Sequence, residues 1–361
     1  MSLTKVHNRM NAGAVVSVLD YGATGDGVTD DTIAINAAIA TGRNVIFPET
    51  ENSYYITGAL TPLVRWQTVT GTGYTRIRAD SSTSYTVFTL TTNNTIEKLD
   101  IEGTVLNTNL TGIKFSSGTL TTDMSAQNIV NECWLRFLNK GIDFDNGYSN
   151  TIRNTEIRDC NIGTDVSPVS SDNPSNGYQA MLQLYSCRFY NNQDYDVYYF
   201  PVSPGRAALF MGCTFDAMPA GATASVYLNN AINATFTSCY HEAGTTNWAF
   251  DLVSCTDTGI NGCHFNQTKG INIDAGSTAI RDSWSSASGS ANDAIIATTT
   301  PTSIQLRIEN SKFLSTAHDF EGVATLSLSN ATLRVGGIDR LHSEGLLREW
   351  TPSYTSGFSA A

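Results

Sequence analysis

After a polar lead of about a dozen residues, the first apolar pattern is Val15-Val16-Ser17-Val18-Leu19, a strand-like run. A stretch rich in Gly and Asp follows, from Asp20 to Asp31. Thr32–Ile39 then reads as a short helix, with Asp30 or Asp31 as N-cap and Gly42 closing it. Downstream, short apolar segments recur around the pentapeptides Asn131-Glu132-Cys133-Trp134-Leu135, Tyr185-Ser186-Cys187-Arg188-Phe189 and Met211-Gly212-Cys213-Thr214-Phe215. Related segments centre on Thr155, Cys239, Cys263, Ser283 and Ser311. Successive centres lie 22, 32, 26, 26, 24, 20 and 28 residues apart.

Three residues before each centre stands an apolar residue: Val130, Ile152, Leu184, Phe210, Phe236, Ile260, Ile280 or Ile308. Two residues after it the position is apolar in six of eight cases, His241 and Ser285 being the exceptions. A period of 20 to 30 residues with three inward anchors marks a solenoid, because each repeat can bury its apolar face only on its neighbours. Ile96-Leu99-Ile101 and Leu328-Ala331-Leu333 fit the same frame. The expected organisation is a lead and capping helix over 1–43, a solenoid over 44–335, and a tail over 336–361 that reads as the start of a further module.

Composition sharpens this picture. Charged residues make up 15% of the 361 positions, where about 25% is usual, which disfavours helical bundles and coiled coils. The net charge of -12 and the lack of any Lys/Arg run argue against nucleic acid or an anionic membrane as partner. Neither a signal peptide nor a membrane span is expected, since the longest apolar windows fall short of both. Seven cysteines with no Cys-x-x-Cys disfavour a disulfide framework or a zinc site. Five of them occupy repeat centres, where a small inward residue packs at a crowded corner. The Gly-rich stretch lacks the Lys-Ser/Thr of a phosphate loop.

The run VLDYGATGDGVTDDTIAINAAI resembles the opening segment of the pectate-lyase-like superfamily, in the form found in bacteriophage tailspikes. The preceding Thr4-Lys5-Val6-His7-Asn8-Arg9-Met10 resembles the lead-in of phage tail proteins. The resemblance implies an all-β fold, a single-stranded right-handed parallel β-helix whose N-terminal end is plugged by the short helix. It assigns the Asp residues of this segment a structural rather than a catalytic role. It further implies a virion tail protein, a homotrimer, acting on a bacterial surface polysaccharide such as capsule or O-antigen. No cofactor or metal is expected, since the calcium-binding Asp cluster of classical pectate lyases is not evident in the sequence.

Because strand neighbours point to opposite faces, positions one and three after each centre face outward. The first column contains Trp134, Glu156, Arg188, Thr214, Tyr240, His264, Trp284 and Lys312, and the second contains Arg136, Arg158, Tyr190, Asp216, Glu242 and Asn266. With coils about 4.8 Å apart, the columns form a strip of aromatics that can stack on sugar rings and of ionic groups that can bind hydroxyls and acids. Asp216 and Glu242 occupy the same place in successive coils, so they are the first candidate for a catalytic carboxylate pair. Chance pairing on a charged face is the plain alternative.

Asp194 and Asp196, expected to share one strand face, form the second candidate pair. His241 stands where other coils carry Phe or Leu; a buried histidine or a one-residue bulge competes there with a binding role. The longest interval holds a Pro- and Ser-rich loop ending near Tyr178, which could wall a groove. The reading is a glycan depolymerase working by carboxylate-assisted hydrolysis. Arg136, Arg158 and Tyr190 leave a β-eliminating lyase open, and a non-catalytic glycan-binding spike is the other class.

Overall fold

The computed structural model describes residues 15–106, 109–116, 125–144, 147–167, 180–200, 205–242, 248–266, 269–285, 294–297, 304–313, 323–329, 332–335, 338–342 and 348–350. Within them the chain is a β-solenoid whose coils stack in parallel on three sheets. In one coil, Ile129–Asn131 lies in the first sheet, Trp134–Arg136 in the second and Lys140–Phe144 in the third. Each strand pairs in parallel with its counterparts one coil before and after, as Trp134 does with Asp100 and Glu156. The first sheet begins where Val16–Ser17 pairs with Val45–Ile46. The last parallel partners in the second sheet are Lys312–Phe313 and Thr332–Leu333. Beyond them, Ile338–His342 and Arg348–Trp350 fold back antiparallel onto 332–335 and 326–328.

The repeat seen in the sequence has a backbone cause. The residue before each centre turns the chain from the first sheet into the second with positive φ: Glu132 (52°), Asn154 (49°), Ser186 (51°), Gly212 (62°), Ser238 (52°), Gly262 (60°), Asp282 (49°) and Asn310 (45°). A second left-handed corner, at Phe137, Asp159, Asn191 and Ala217, ends the short strand in four successive coils. All eight centres are buried. Cys187, Cys213 and Cys239 donate from Sγ to the carbonyls of Ile152, Leu184 and Phe210 in the preceding coil, at 3.4 to 3.6 Å. Ser283 Oγ accepts from the Cys263 amide at 3.1 Å and donates to the Arg281 carbonyl at 2.8 Å. A small side chain with a weak or strong donor fits this corner, which explains why Cys, Thr and Ser interchange there.

The interior is lined by columns of large apolar residues. Phe189 and Phe215 stack at 5.2 Å, and Phe210 and Phe236 at 4.5 Å. A buried asparagine ladder lines one corner: the Asn94 amide donates to Asn128 Oδ1 (2.8 Å) and the Asn128 amide to Asn150 Oδ1 (3.0 Å). At the N-terminal end, the helix Thr32–Ile39 packs Ile35, Ala38 and Ile39 over the open coil. Asp31, 1% exposed, precedes the helix without capping it through its side chain. Its carboxylate instead accepts from the Thr24 and Gly25 amides at 2.6 and 3.1 Å and fixes the Gly-rich turn. Asp30 takes the capping contact, accepting from the Thr32 amide at 3.0 Å.

All seven cysteines are free and buried. Cys213→Ser should keep the corner contact and change stability little, whereas Cys213→Leu should cost about 1–3 kcal/mol by overpacking. Thermal denaturation of the two variants beside the parent checks this.

Candidate functional site

The second sheet presents the two outward columns. Parallel register aligns Trp134, Glu156, Arg188, Thr214, Tyr240, His264, Trp284 and Lys312 in one file. Arg136, Arg158, Tyr190, Asp216 and Glu242 align in the other. The file extends two coils further toward the N-terminus than the repeat centres indicated, through Asp100 and Arg76 and through Glu102 and Arg78. Ile77 and Ile101 are the buried partners between these outward residues, so the alternation Arg-Ile-Arg and Asp-Ile-Glu carried the signal.

The charged middle of the strip is an ion-pair network. Asp100, 2% exposed, accepts from Arg136 Nη2 at 2.7 Å, from Arg76 Nε at 3.1 Å and from the Tyr74 hydroxyl at 3.0 Å. Arg136 also reaches Glu102 at 2.9 Å. Arg158 pairs with Asp159 (2.8 Å) and Glu156 (3.4 Å), and Arg188 bridges Glu156 (3.4 Å) and Asp216 (3.2 Å). Both guanidiniums lie over the Tyr190 ring, at 5.2 and 5.1 Å. Asp216 and Glu242 are direct register partners. Glu242 is exposed and accepts from the Tyr240 hydroxyl at 2.7 Å and from Asn266 Nδ2 at 3.3 Å.

Aromatic side chains interleave with this network and continue beyond it. Exposed Tyr74 and Trp134 lie 6.3 Å apart, with Trp134 between Asp100 and Glu156 in its file. Beyond Asp216, half-buried His264 stacks on exposed Trp284 and meets half-buried Tyr240 edge-on, both at 5.2 Å. Burial holds the His264 imidazole below its ordinary range. Beside the first aromatic pair, a groove of about 770 Å³ is lined by Asp26, Glu49, Tyr74, Arg76, Arg78 and Glu102 among others.

Geometry overturns one sequence expectation and closes an alternative left open by another. Asp194 and Asp196 do not share a face: Asp194 is exposed before the strand Tyr195–Tyr199, while Asp196 is fully buried inside the solenoid and accepts from Asn192 Nδ2 at 2.8 Å. The two part because Asp194 lies in a bend ahead of the strand, where strand alternation does not hold. Burial pushes its carboxyl up to about 8. Of the readings open at His241, the structure has the buried histidine and not the binding role. This residue keeps the register without a bulge and is fully buried in the aromatic column, stacked on Phe215 at 4.5 Å and Phe265 at 5.4 Å. Neither ring nitrogen has a partner, and burial lowers the imidazole to about 3. Tyr178 lies outside the described residues.

These two buried groups give opposite pH responses. His241 stays neutral in the fold, so below its ordinary 6.5 the unfolded chain takes up a proton that the fold cannot, and stability falls toward pH 3. His241→Phe should remove that loss and raise stability at neutral pH by about 1–3 kcal/mol, since two unsatisfied nitrogens leave the core. Asp196 stays protonated in the fold up to about 8, so stability is lost as pH rises from 3.8 through 8. Asp196→Asn should therefore stabilise increasingly across that window and little below it. Melting curves of both variants from pH 4 to pH 8 check the two signs.

The profile of the rhamnogalacturonase A/epimerase, pectate lyase-like family matches residues 15–61, the capped opening segment. No curated protein matches the chain. Among solved structures, it is similar to the A-module of the mannuronan C-5 epimerase AlgE4 of Azotobacter vinelandii, at TM-score 0.58 and 17% identity, covering 95% of this chain and 100% of the module. It is similar to ORF18 of Geobacillus virus E2, at TM-score 0.54 and 17% identity over 88% of this chain, and spans 61% of that protein's length. It is also similar to PfbA, a surface adhesin of Streptococcus pneumoniae, at TM-score 0.53 and 13% identity, covering 90% and 91% of the two chains. At these identities the likeness is one of fold.

Proposed function

We propose that this pectate-lyase-like right-handed β-helix protein binds a bacterial surface polysaccharide along the second sheet and cleaves it by hydrolysis. The observation that carries the reading is the strip itself: register-aligned carboxylates and guanidiniums interleaved with aromatics, of which Trp134 and Trp284 are exposed. Trp134 and Trp284 are six coil steps apart, roughly 29 Å at about 4.8 Å per step, which suits an extended polymer rather than a small ligand. Trp134, Tyr240, His264 and Trp284 would stack sugar rings, and Arg136, Glu156, Arg158, Arg188 and Tyr190 would hold hydroxyl groups. Asp216 and Glu242 would act as the acid–base pair.

Hydrolysis is favoured over β-elimination because Arg136, Arg158 and Arg188 already face carboxylates of the chain. A lyase would need such cations to neutralise a uronate. The fold shared with a virus protein fits a homotrimeric spike on a virion tail, and the fold shared with an adhesin supports a second reading, binding without cleavage.

A panel of purified capsular polysaccharides and O-antigens tests the proposal. The expected products carry new reducing ends and no ultraviolet-absorbing double bond. Asp216→Asn and Glu242→Gln should each lower turnover by about 10²–10⁴-fold. Full rates in both variants would sink the pair, and binding without release of oligosaccharide would establish the adhesin instead. Sedimentation equilibrium checks the trimer.

A further inference from the structure

The third sheet carries its own outward file. Parallel register aligns Lys114, Asp143, Asp165, Tyr198, Tyr227 and Asp251. Asp143 and Asp165 are therefore carboxylates in successive coils, as Asp216 and Glu242 are, but in a different environment. They are 5% and 3% exposed. Lys140 Nζ lies between them, 2.5 Å from Asp165 Oδ2 and 3.3 Å from Asp143 Oδ1, and Lys114 Nζ is 3.8 Å from Asp143. Asp165 Oδ1 is buried and has no hydrogen-bond partner. Burial raises the Asp143 carboxyl above its ordinary 3.8, even with both ammonium groups acting against it.

The next two coils of the file are aromatic. Tyr198 and Tyr227 stack at 5.2 Å, and Tyr195 closes on them at 4.9 and 5.8 Å. A half-buried tyrosine wall next to a carboxylate couple is a place where a sugar ring can be held beside an acid and an anion.

We infer that Asp143 and Asp165 form a second catalytic carboxylate pair, Asp165 as nucleophile and Asp143 as acid and base, acting on a glycan whose neighbouring ring rests on Tyr198 and Tyr227. The inference rests on the proposed polysaccharide cleavage but not on Asp216 or Glu242. Two carboxylate oxygens that share one Nζ at these distances lie within roughly 6 Å of each other, near the about 5–5.5 Å of retaining glycosidases and short of the inverting range. The step is then a double displacement. Asp165 attacks the anomeric carbon while the glycosidic bond breaks toward its oxygen, which takes the Asp143 proton. Water then gives a proton to Asp143, its oxygen bonds to the anomeric carbon, and the ester electron pair returns to Asp165. One water is consumed per bond cleaved.

The test places Asp143→Asn and Asp165→Asn in the parent and in the double variant D216N/E242Q, on a polysaccharide that the parent cleaves, each with its melting transition recorded. On the D216N/E242Q background, where only the third-sheet pair is left to cleave, the expected result is a further loss of at least about 10²-fold for each third-sheet substitution, with first-formed products of D216N/E242Q itself of retained anomeric configuration by proton NMR. No further loss on that background overturns the inference and leaves the proposed function standing. Loss in the third-sheet variants with full turnover in D216N/E242Q sustains the inference and displaces the second-sheet pair. First-formed products of inverted configuration overturn the double displacement. Because Asp143→Asn strips Lys140 of a partner and could unfold the chain, Tyr198→Ala is measured alongside. A several-fold higher KM with kcat unchanged supports the site, and unchanged constants overturn the aromatic subsite.

Discussion

Each coil depends on one corner, where the chain leaves the first sheet through a left-handed residue and at once buries a small side chain. A left-handed conformation costs an L-residue with a Cβ about 1–2 kcal/mol, and six of the eight residues that adopt it here are not glycine. The cost is offset because the corner sends an apolar side chain inward on each side of it. Fully burying one such side chain is worth about 1.5–3 kcal/mol. The centre must then be small, because the next coil sits directly above it. It must also carry a donor, because the carbonyls of the coil below converge on it. Everything outside the core inherits this registration. Outward residues one and three positions past the corner fall into files for the same reason that the inward ones do.

Registration also sets the electrostatics of the surface. Stacking at one strand spacing places like charges against each other unless the next coil supplies the opposite sign. In the second sheet Arg76, Asp100, Arg136, Glu156 and Arg188 each meet an opposite charge, although Arg136 with Arg158 and Asp216 with Glu242 stack as like charges. The third sheet solves the same problem differently, by setting two carboxylates around one buried lysine. The first arrangement leaves a wide, solvated, sugar-sized surface. The second leaves a compact pair with unequal surroundings. A net charge of -12 thus says little about what the surface binds, since the local pairing decides it.

The columns around Trp134, Arg136, Asp216 and Glu242 were legible because Cys133, Cys213 and Cys239 index the coils and the strand alternation does the rest. The same arithmetic went wrong at Asp194 and Asp196, because Asp194 lies in the bend before the strand that holds Asp196. It left His241 ambiguous, since a histidine in a phenylalanine place can be a ligand or simply a ring in a stack. Asp143 and Asp165 each stand ten residues after their index residues Cys133 and Thr155, a regularity that the two outward columns of the second sheet did not reach. The spacing grows to eleven at Tyr198 and fourteen at Tyr227, so the file as a whole exists only in the stacked coils. What the sequence by itself determined was the solenoid, its coil count along the second sheet and its outward chemistry, since these follow from a fixed spacing around a corner that only small residues fit. What tertiary structure alone decided was which side chains of different coils share a lysine, a ring or the core, because those meetings depend on loop lengths that carry no periodicity of their own.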